Sequence, residues 1–193
     1  MRTSVRPLSV TAWLILVCVL IVLIGPPGTT VPAADVPLKA WTAGRLPLFA
    51  LDELSGERVD VARLRGHSVL VHFFATWCET CRVELQSLRQ LADRMQGQLF
   101  AVIAIDTGEP DFRVGRFFAS QPVRFQVLLD RDGALGRAWQ IDALPTTFVL
   151  DANLVPRLVA EGEVDWSRQD VEEALTNLIA STAAAPARLP PAP

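Results

Sequence analysis

Cysteine and histidine are scarce in this sequence. Three cysteines in 193 residues are too few for a scaffold held together by disulfides. Half of the residues are hydrophobic, enough for a core that does not need such staples. The length fits one domain with extensions, not two full domains. Histidine occurs only at His67 and His72, and C-x-x-C only at Cys78 and Cys81. A structural zinc site takes four Cys or His ligands, which would consume all of these side chains. His72 lies in a run that reads as a buried strand, so no metal site is expected. Basic residues are scattered. Without Arg2 and Arg6, 16 Lys and Arg face 21 Asp and Glu, a balance of −5. That excludes a nucleic-acid footprint and an electrostatic hold on a membrane surface. There is no internal repeat.

Charge is missing altogether from Leu8 to Ile24. Met1 to Pro7 carries two arginines and no acid, and the next charge after Arg6 is Asp35. A positive start followed by an apolar run marks an export signal or signal anchor. Its 17 residues are at the lower edge of what spans a bilayer. The arginines stay cytoplasmic, so the rest of the chain is delivered outside. Residues 1–24 are therefore read as a signal anchor, placing the protein on the periplasmic side of a bacterial inner membrane. Cleavage near Ala33, at Val31-Pro32-Ala33, gives a soluble periplasmic product instead. Cys18 reads as a small apolar residue of the span, since Val17 is not the small residue a lipoprotein site has. Residues 25–45, rich in Pro, Gly, Thr and Ala, are read as a linker. Residues 181–193, rich in Ala and Pro, are read as a disordered tail.

Between linker and tail, strand and helix patterns alternate. Leu46 to Leu51 predicts a strand, Ser55-Gly56 a turn, and Val59 to Val61 a short second strand. Val69 to Phe74 is a continuous apolar run, the mark of a strand buried on both faces. Leu85, Leu88, Ala92 and Met95 share one face of a helix over Cys78 to Gln96, with Gly97 as its C-terminal stop. Leu99 to Ile105 is a further strand, and Pro110 starts a helix to about Ser120. Phe125 to Leu129 is a strand and Gly136 to Trp139 a short helix. Thr147 to Leu150 and Arg157 to Ala160 close the sheet. Ser167 and Asp170 form a capping-box-like start for a last helix carrying Val171, Leu175 and Leu178. The expectation is an α/β domain over 46–180 with helices on both sheet faces.

The chemical signal is Trp77-Cys78-Glu79-Thr80-Cys81, placed after a buried strand and opening a helix. Unpaired N–H groups and partial positive charge at a helix N-terminus favour a thiolate at Cys78. Two intervening residues bring Cys81 within a turn, so it can attack a mixed disulfide at Cys78 and release the product. Strand, motif and helix together favour a redox-active pair over a structural disulfide or two inert thiols.

The segment Val69-Leu70-Val71-His72-Phe73-Phe74-Ala75-Thr76-Trp77-Cys78 resembles the active-site strand of the thioredoxin superfamily. More narrowly it is similar to the membrane-anchored TlpA/ResA/CcmG-like thiol–disulfide oxidoreductases. Leu144-Pro145-Thr146-Thr147-Phe148 resembles that family's second signature, and Gly162-Glu163-Val164-Asp165-Trp166 also fits the group. The resemblance implies a thioredoxin fold, a central mixed β-sheet flanked by helices, with an N-terminal strand extension. It implies a cis Pro145 facing the cysteines, with Leu144, Pro145 and Thr146 meeting the substrate chain. It implies that Glu84 and Glu109 lie by the active site and can relay the Cys81 proton. No cofactor beyond the Cys78–Cys81 disulfide is implied. The implied partners are protein disulfides and a membrane thiol-transfer electron donor of the DsbD/CcdA kind.

Three positions depart from the pattern. Thr80 replaces a usual proline between the cysteines. Gln86 replaces a proline in the helix, which should leave the helix straighter. His72 stands where the subgroup often has asparagine, and reads as a neutral core histidine ahead of a proton acceptor. Negative charge on Glu79 and Glu84 opposes a Cys78 thiolate, with Arg82 acting against them. The balance predicts a reductant, for cytochrome c maturation or copper-site assembly. A disulfide donor is one alternative, and a copper-binding assembly protein using both cysteines as Cu(I) ligands is another. A peroxidase of the peroxiredoxin kind fits less well, because no proline lies near Cys78.

Overall fold

A computed structural model describes residues 38–184. The anchor at 1–24, the cleavage point near Ala33 and most of the expected linker and tail lie outside them. No helix among the described residues is long and apolar enough to cross a membrane.

Eight strands form one mixed sheet in the order β1-β8-β7-β4-β5-β6-β2-β3. They are β1 (Lys39–Ala40), β2 (Ala50–Glu53), β3 (Arg58–Asp60), β4 (Ser68–Phe74), β5 (Phe100–Thr107), β6 (Gln126–Asp130), β7 (Thr146–Leu150) and β8 (Pro156–Glu161). Four helices accompany them: α1 (Glu79–Arg94), α2 (Asp111–Ser120), α3 (Ala134–Ala138) and α4 (Gln169–Ala184). β4, β5 and β6 run parallel, and the other pairings are antiparallel.

All seven residues of β4 are buried, as its continuous apolar run requires of a strand covered on both faces. Its side chains alternate between two cores. Leu70 and Phe74 join a core with Leu85, Leu88 and Leu91 of α1, Val114 and Phe118 of α2, and Val171 and Leu175 of α4. Val69, Val71 and Phe73 join the opposite core with Leu135 and Trp139. There Trp139 meets Phe49, Phe73 and Phe148 at ring-centroid distances of 5.2–5.5 Å, contacts that add about 0.5–1.5 kcal/mol each beyond their burial.

The expected first strand over Leu46 to Leu51 starts later, at Ala50. Pro47 has no N–H to give a ladder, and its carbonyl accepts the Trp139 indole N–H at 3.0 Å. Val61 leaves the second strand for a 3₁₀ turn (Val61–Leu64), because the Asp60 carboxylate caps the Ala62 N–H at 2.9 Å. Gly97 is not the immediate stop of α1. The helix ends at Arg94 and Gly97, at φ +79°, turns the chain afterwards. The capping box before α4 does not form as expected. The Ser167 hydroxyl donates to Asp165, Arg168 holds the Asp170 carboxylate, and the helix starts at Gln169.

Two boundaries move. β1 falls inside the stretch expected as linker, where it pairs with Leu158 and Val159. The Trp41 N–H donates to the Arg157 carbonyl at 2.8 Å, and its ring meets Phe148 edge-on at 5.2 Å. At the other end α4 continues to Ala184, four residues into the expected tail.

Candidate active site

β4 stops at Phe74, and four residues later the chain turns into α1 with Cys78 as its N-cap. Cys78 Sγ accepts the Cys81 N–H at 3.2 Å, where a cap side-chain oxygen usually sits. Cys78 and Cys81 are joined as a disulfide. Cys78 is 7% exposed and Cys81 is fully buried, so a partner's sulfur reaches Cys78 first. Trp77, beside it, is 67% exposed. Thr80 Oγ1 lies 3.4 Å from Cys78 Sγ. That hydroxyl can donate to a thiolate, which a proline cannot, and this is the local effect of the Thr80 departure.

Beneath the motif, three elements converge on Glu84. It follows Cys81 by three residues on the same face of α1 and is 1% exposed. The Trp166 indole N–H donates to Glu84 Oε1 at 2.8 Å, and the Thr147 hydroxyl reaches the same oxygen at a long 3.5 Å. His72 and Thr147 are directly opposite across the β4–β7 ladder, which brings His72 Nδ1 to 2.9 Å from Thr147 Oγ1 and 3.5 Å from Glu84 Oε1. Glu84 Oε2 and His72 Nε2 have no hydrogen-bond partner among the described residues. Burial pushes the Glu84 carboxyl up to about 8 and the His72 imidazole down to about 3. At neutral pH both are uncharged, and their approach is no ion pair. The core-histidine reading of His72 agrees with this. The expectation that Glu84 opposes a thiolate by negative charge does not, because a group this buried keeps its proton.

The charge of Glu79 is also offset, since its carboxylate accepts from Arg82 Nη1 at 2.9 Å. The standing negative charge belongs to Glu109. Burial raises its pKa, but the Thr76 N–H, the Asp106 carboxyl, the Thr76 hydroxyl and Arg113 outweigh that and hold it below the usual carboxylate value. Both Glu109 oxygens grip Thr76, one taking its N–H and the other its hydroxyl at 2.8 Å. The Thr76 hydroxyl is therefore committed to Glu109.

The Leu144–Pro145 peptide is cis, as the resemblance implies. β7 begins at Thr146, opposite Phe73, so this bond sits at the sheet end from which β4 delivers Cys78. The Pro145 carbonyl accepts the Gly162 N–H at 2.8 Å and the Thr146 hydroxyl donates to the Ala143 carbonyl at 2.8 Å. Among the described residues no three His, Cys, Asp or Glu side chains are gathered as a metal ion requires.

Trp166, Thr147 and Asp106 are the site residues to which motif reading gives no role. Thr147 and Trp166 were visible within quoted motifs, but their bonds to Glu84 depend on strand register and on how the chain returns before α4.

A family model described as the AhpC/TSA family matches residues 43–157. The thiol–disulfide oxidoreductase ResA of Bacillus subtilis (strain 168) is 32% identical over 105 residues, 54% of this chain and 59% of that protein. ResA of Geobacillus thermodenitrificans (strain NG80-2) is 28% identical over 132 residues, 68% of this chain and 75% of that protein. The chain thus spans about three fifths of the first relative's length. Among solved structures, a putative thiol:disulfide interchange protein DsbE from Chlorobium tepidum is 27% identical with a TM-score of 0.62, covering 76% of this chain and 99% of that one.

Proposed function

We propose that this chain, which belongs to the AhpC/TSA family, is a thiol–disulfide oxidoreductase that works outside the cytoplasm as a reductant of disulfides in partner proteins. The observation that carries this reading is the nearly buried couple at the head of α1, where Cys78 keeps a sliver of exposure and Cys81 has none. In the reduced protein Cys78, as thiolate, attacks a partner disulfide. A mixed disulfide forms and one partner sulfur leaves as thiolate. Cys81 gives up its proton and attacks Cys78 Sγ, which frees the second partner sulfur and restores the Cys78–Cys81 disulfide. Two electrons pass to the partner. Glu84 and Glu109 are the carboxyls that the family resemblance assigns to exchange of the Cys81 proton, and Leu144, Pro145 and Thr146 the segment it assigns to the partner's chain.

The direction rests on charge. A dithiol is a strong oxidant when its thiolate form is stabilised. The head of α1 and Thr80 provide some stabilisation, but Arg82 is spent on Glu79 and the ionised Glu109 holds the residue two before Cys78. That fixed negative charge favours the disulfide form and makes the dithiol an electron donor. An oxidising compartment then requires resupply, for which a membrane thiol-transfer protein of the DsbD/CcdA kind is the fitting source. The arginine-flanked run at 8–24 supports an anchored, periplasmic location, or a soluble one if cut near Ala33. Cytochrome c maturation and copper-site assembly are the two substrate settings this group suggests.

Equilibration with a dithiol buffer tests the direction. The expected potential is nearer the thioredoxin value of about −270 mV than the DsbA value of about −120 mV. A value at the oxidising end, with Cys78 recovered mainly as disulfide from cells, makes the protein a disulfide donor instead. Copper titration alongside insulin-disulfide reduction separates exchange from metal carriage.

A further inference from the structure

Trp166 lies in the loop between β8 and α4, yet it has no exposed surface. Three hydrogen bonds tie this one residue to α1. Its backbone N–H donates to Ser87 Oγ at 3.2 Å, its carbonyl accepts from Arg94 Nη2 at 2.9 Å, and its indole N–H donates to Glu84 Oε1 at 2.8 Å. Both backbone partners are themselves held. The Ser87 hydroxyl donates to the Glu84 carbonyl at 3.0 Å, and Arg94 Nε donates to Glu172 of α4 at 2.9 Å. The Trp166 ring packs in the same core as Cys78 and Cys81. A buried indole needs an acceptor for its N–H, and any backbone carbonyl would serve. Here the acceptor is the carboxyl one helical turn beyond Cys81.

The other groups facing that carboxyl hold it less closely. The Thr147 hydroxyl, from β7, stands at 3.5 Å and is shared with His72 Nδ1 at 2.9 Å. His72, from β4, is kept neutral by burial. The loop before α4 adds the Val164 N–H, which favours the carboxylate, and the Glu163 charge, which opposes it. Trp166 is thus the short, aimed donor. A hydrogen bond to a charged carboxylate is stronger than one to the neutral acid. The indole therefore works against burial, which favours the protonated form.

We propose that Trp166 is a positioning residue of the exchange reaction: its clamped indole N–H holds the Glu84 carboxyl in place and stabilises the charged form that accepts the Cys81 proton. The role deepens the oxidoreductase reading and rests on it. In the mixed disulfide, ionised Glu84 takes the proton of Cys81 and becomes a neutral acid. The Cys81 thiolate then forms its bond to Cys78 Sγ, and the bond from Cys78 to the partner's sulfur breaks, the electron pair leaving with that sulfur.

The test follows the reduced full-length protein with an excess of a chromogenic nitrophenyl disulfide in stopped flow. Cys18→Ala is present throughout, so only the motif cysteines react. Attack by Cys78 releases one coloured thiolate, and resolution by Cys81 releases the second. Trp166→Phe keeps an aromatic ring and removes the donor. Its second phase should slow about tenfold at neutral pH, with the pH midpoint raised by about one unit, as loss of a hydrogen bond to a charged group implies, while the first phase stays within about twofold. In a Glu84→Gln background, Trp166→Phe should change the second phase by less than about twofold, because the two side chains act as one unit. Equal slowing in that background, an unmoved midpoint, or a first phase slowed as much as the second overturns the proposal. A measurement without Trp166→Phe guards against its misfolding. The assigned Trp166 indole N–H resonance should shift with pH through the ionisation of Glu84 and stay still in Glu84→Gln. A resonance that stays still with Glu84 present also overturns the proposal. Absence of both coloured phases sinks the oxidoreductase reading, whereas a still resonance with both phases intact sinks this inference alone.

Discussion

Replacing Glu84 by Gln should make the oxidised protein less sensitive to alkaline pH. The carboxyl sits at about 8 in the fold, against an ordinary 4.5, because burial penalises its charged form. A folded-state pKa above the unfolded one gives stability that is full below the unfolded value and is lost as pH rises through the folded value. From pH 6.5 to 8 the unfolded chain holds no proton at this site, while the folded one still holds most of one. At about 1.4 kcal/mol per pH unit, Glu84 alone removes about 2 kcal/mol of stability across that window. Asp106, also raised to about 8, removes a contribution of the same sign. His72, lowered to about 3 from 6.5, acts mainly below this window and with opposite slope, so the window isolates the acids. Urea unfolding at several pH values is the assay. Wild type should lose stability from pH 6.5 to 8, and Glu84→Gln should lose about half as much, because its amide does not titrate and still accepts the Trp166 N–H. An unchanged slope in the variant, or wild-type stability that rises over this window, would refute the reasoning.

Two further outcomes are expected. Cys81→Ser should accumulate mixed disulfides through Cys78 in cells, seen on non-reducing gels, and Cys78→Ser should not; equal trapping by both reverses the assignment of attacking and resolving thiols and gives no support to the order of exposure as its cause. His72→Asn should leave the pH profile of disulfide reduction nearly unchanged, because the imidazole is already neutral throughout the working range; a displacement of a full pH unit would instead make it a proton carrier.

The central strand and the motif helix were legible because each has a local signature, an unbroken apolar run and a C-x-x-C at a helix start, whereas the cis bond at Pro145 was expected only from the family resemblance of its Leu-Pro-Thr-Thr-Phe segment. β1 was not legible, since Lys39 and Ala40 have no alternation to read and pair only because β8 offers an edge. The charge state of Glu84 was misread for a related reason. Its place three residues after Cys81 was plain, but its burial depends on Trp166 returning from 82 residues away. Glu79 and Arg82 looked like opposing influences on Cys78, and their ion pair shows that they answer each other first. Asp106 passed unnoticed as one acid at the end of a buried strand, because nothing local says that Glu109 turns back to meet it.

The short strands at the ends of the sheet bear on how the protein behaves among copies of itself. An open sheet invites strand addition from a neighbouring chain wherever a long edge lies bare. Here one end is β3, three residues long, with Arg58 and Asp60 exposed around a buried Val59. The other is β1, two exposed residues laid over β8. Neither offers a flat apolar ladder on which a second sheet could grow. The protection at the β8 side is thin, however, being held by two paired residues, the Trp41 N–H and a ring on Phe148. Detaching that segment would leave β8 as a bare edge of the kind on which a neighbouring chain can add a strand.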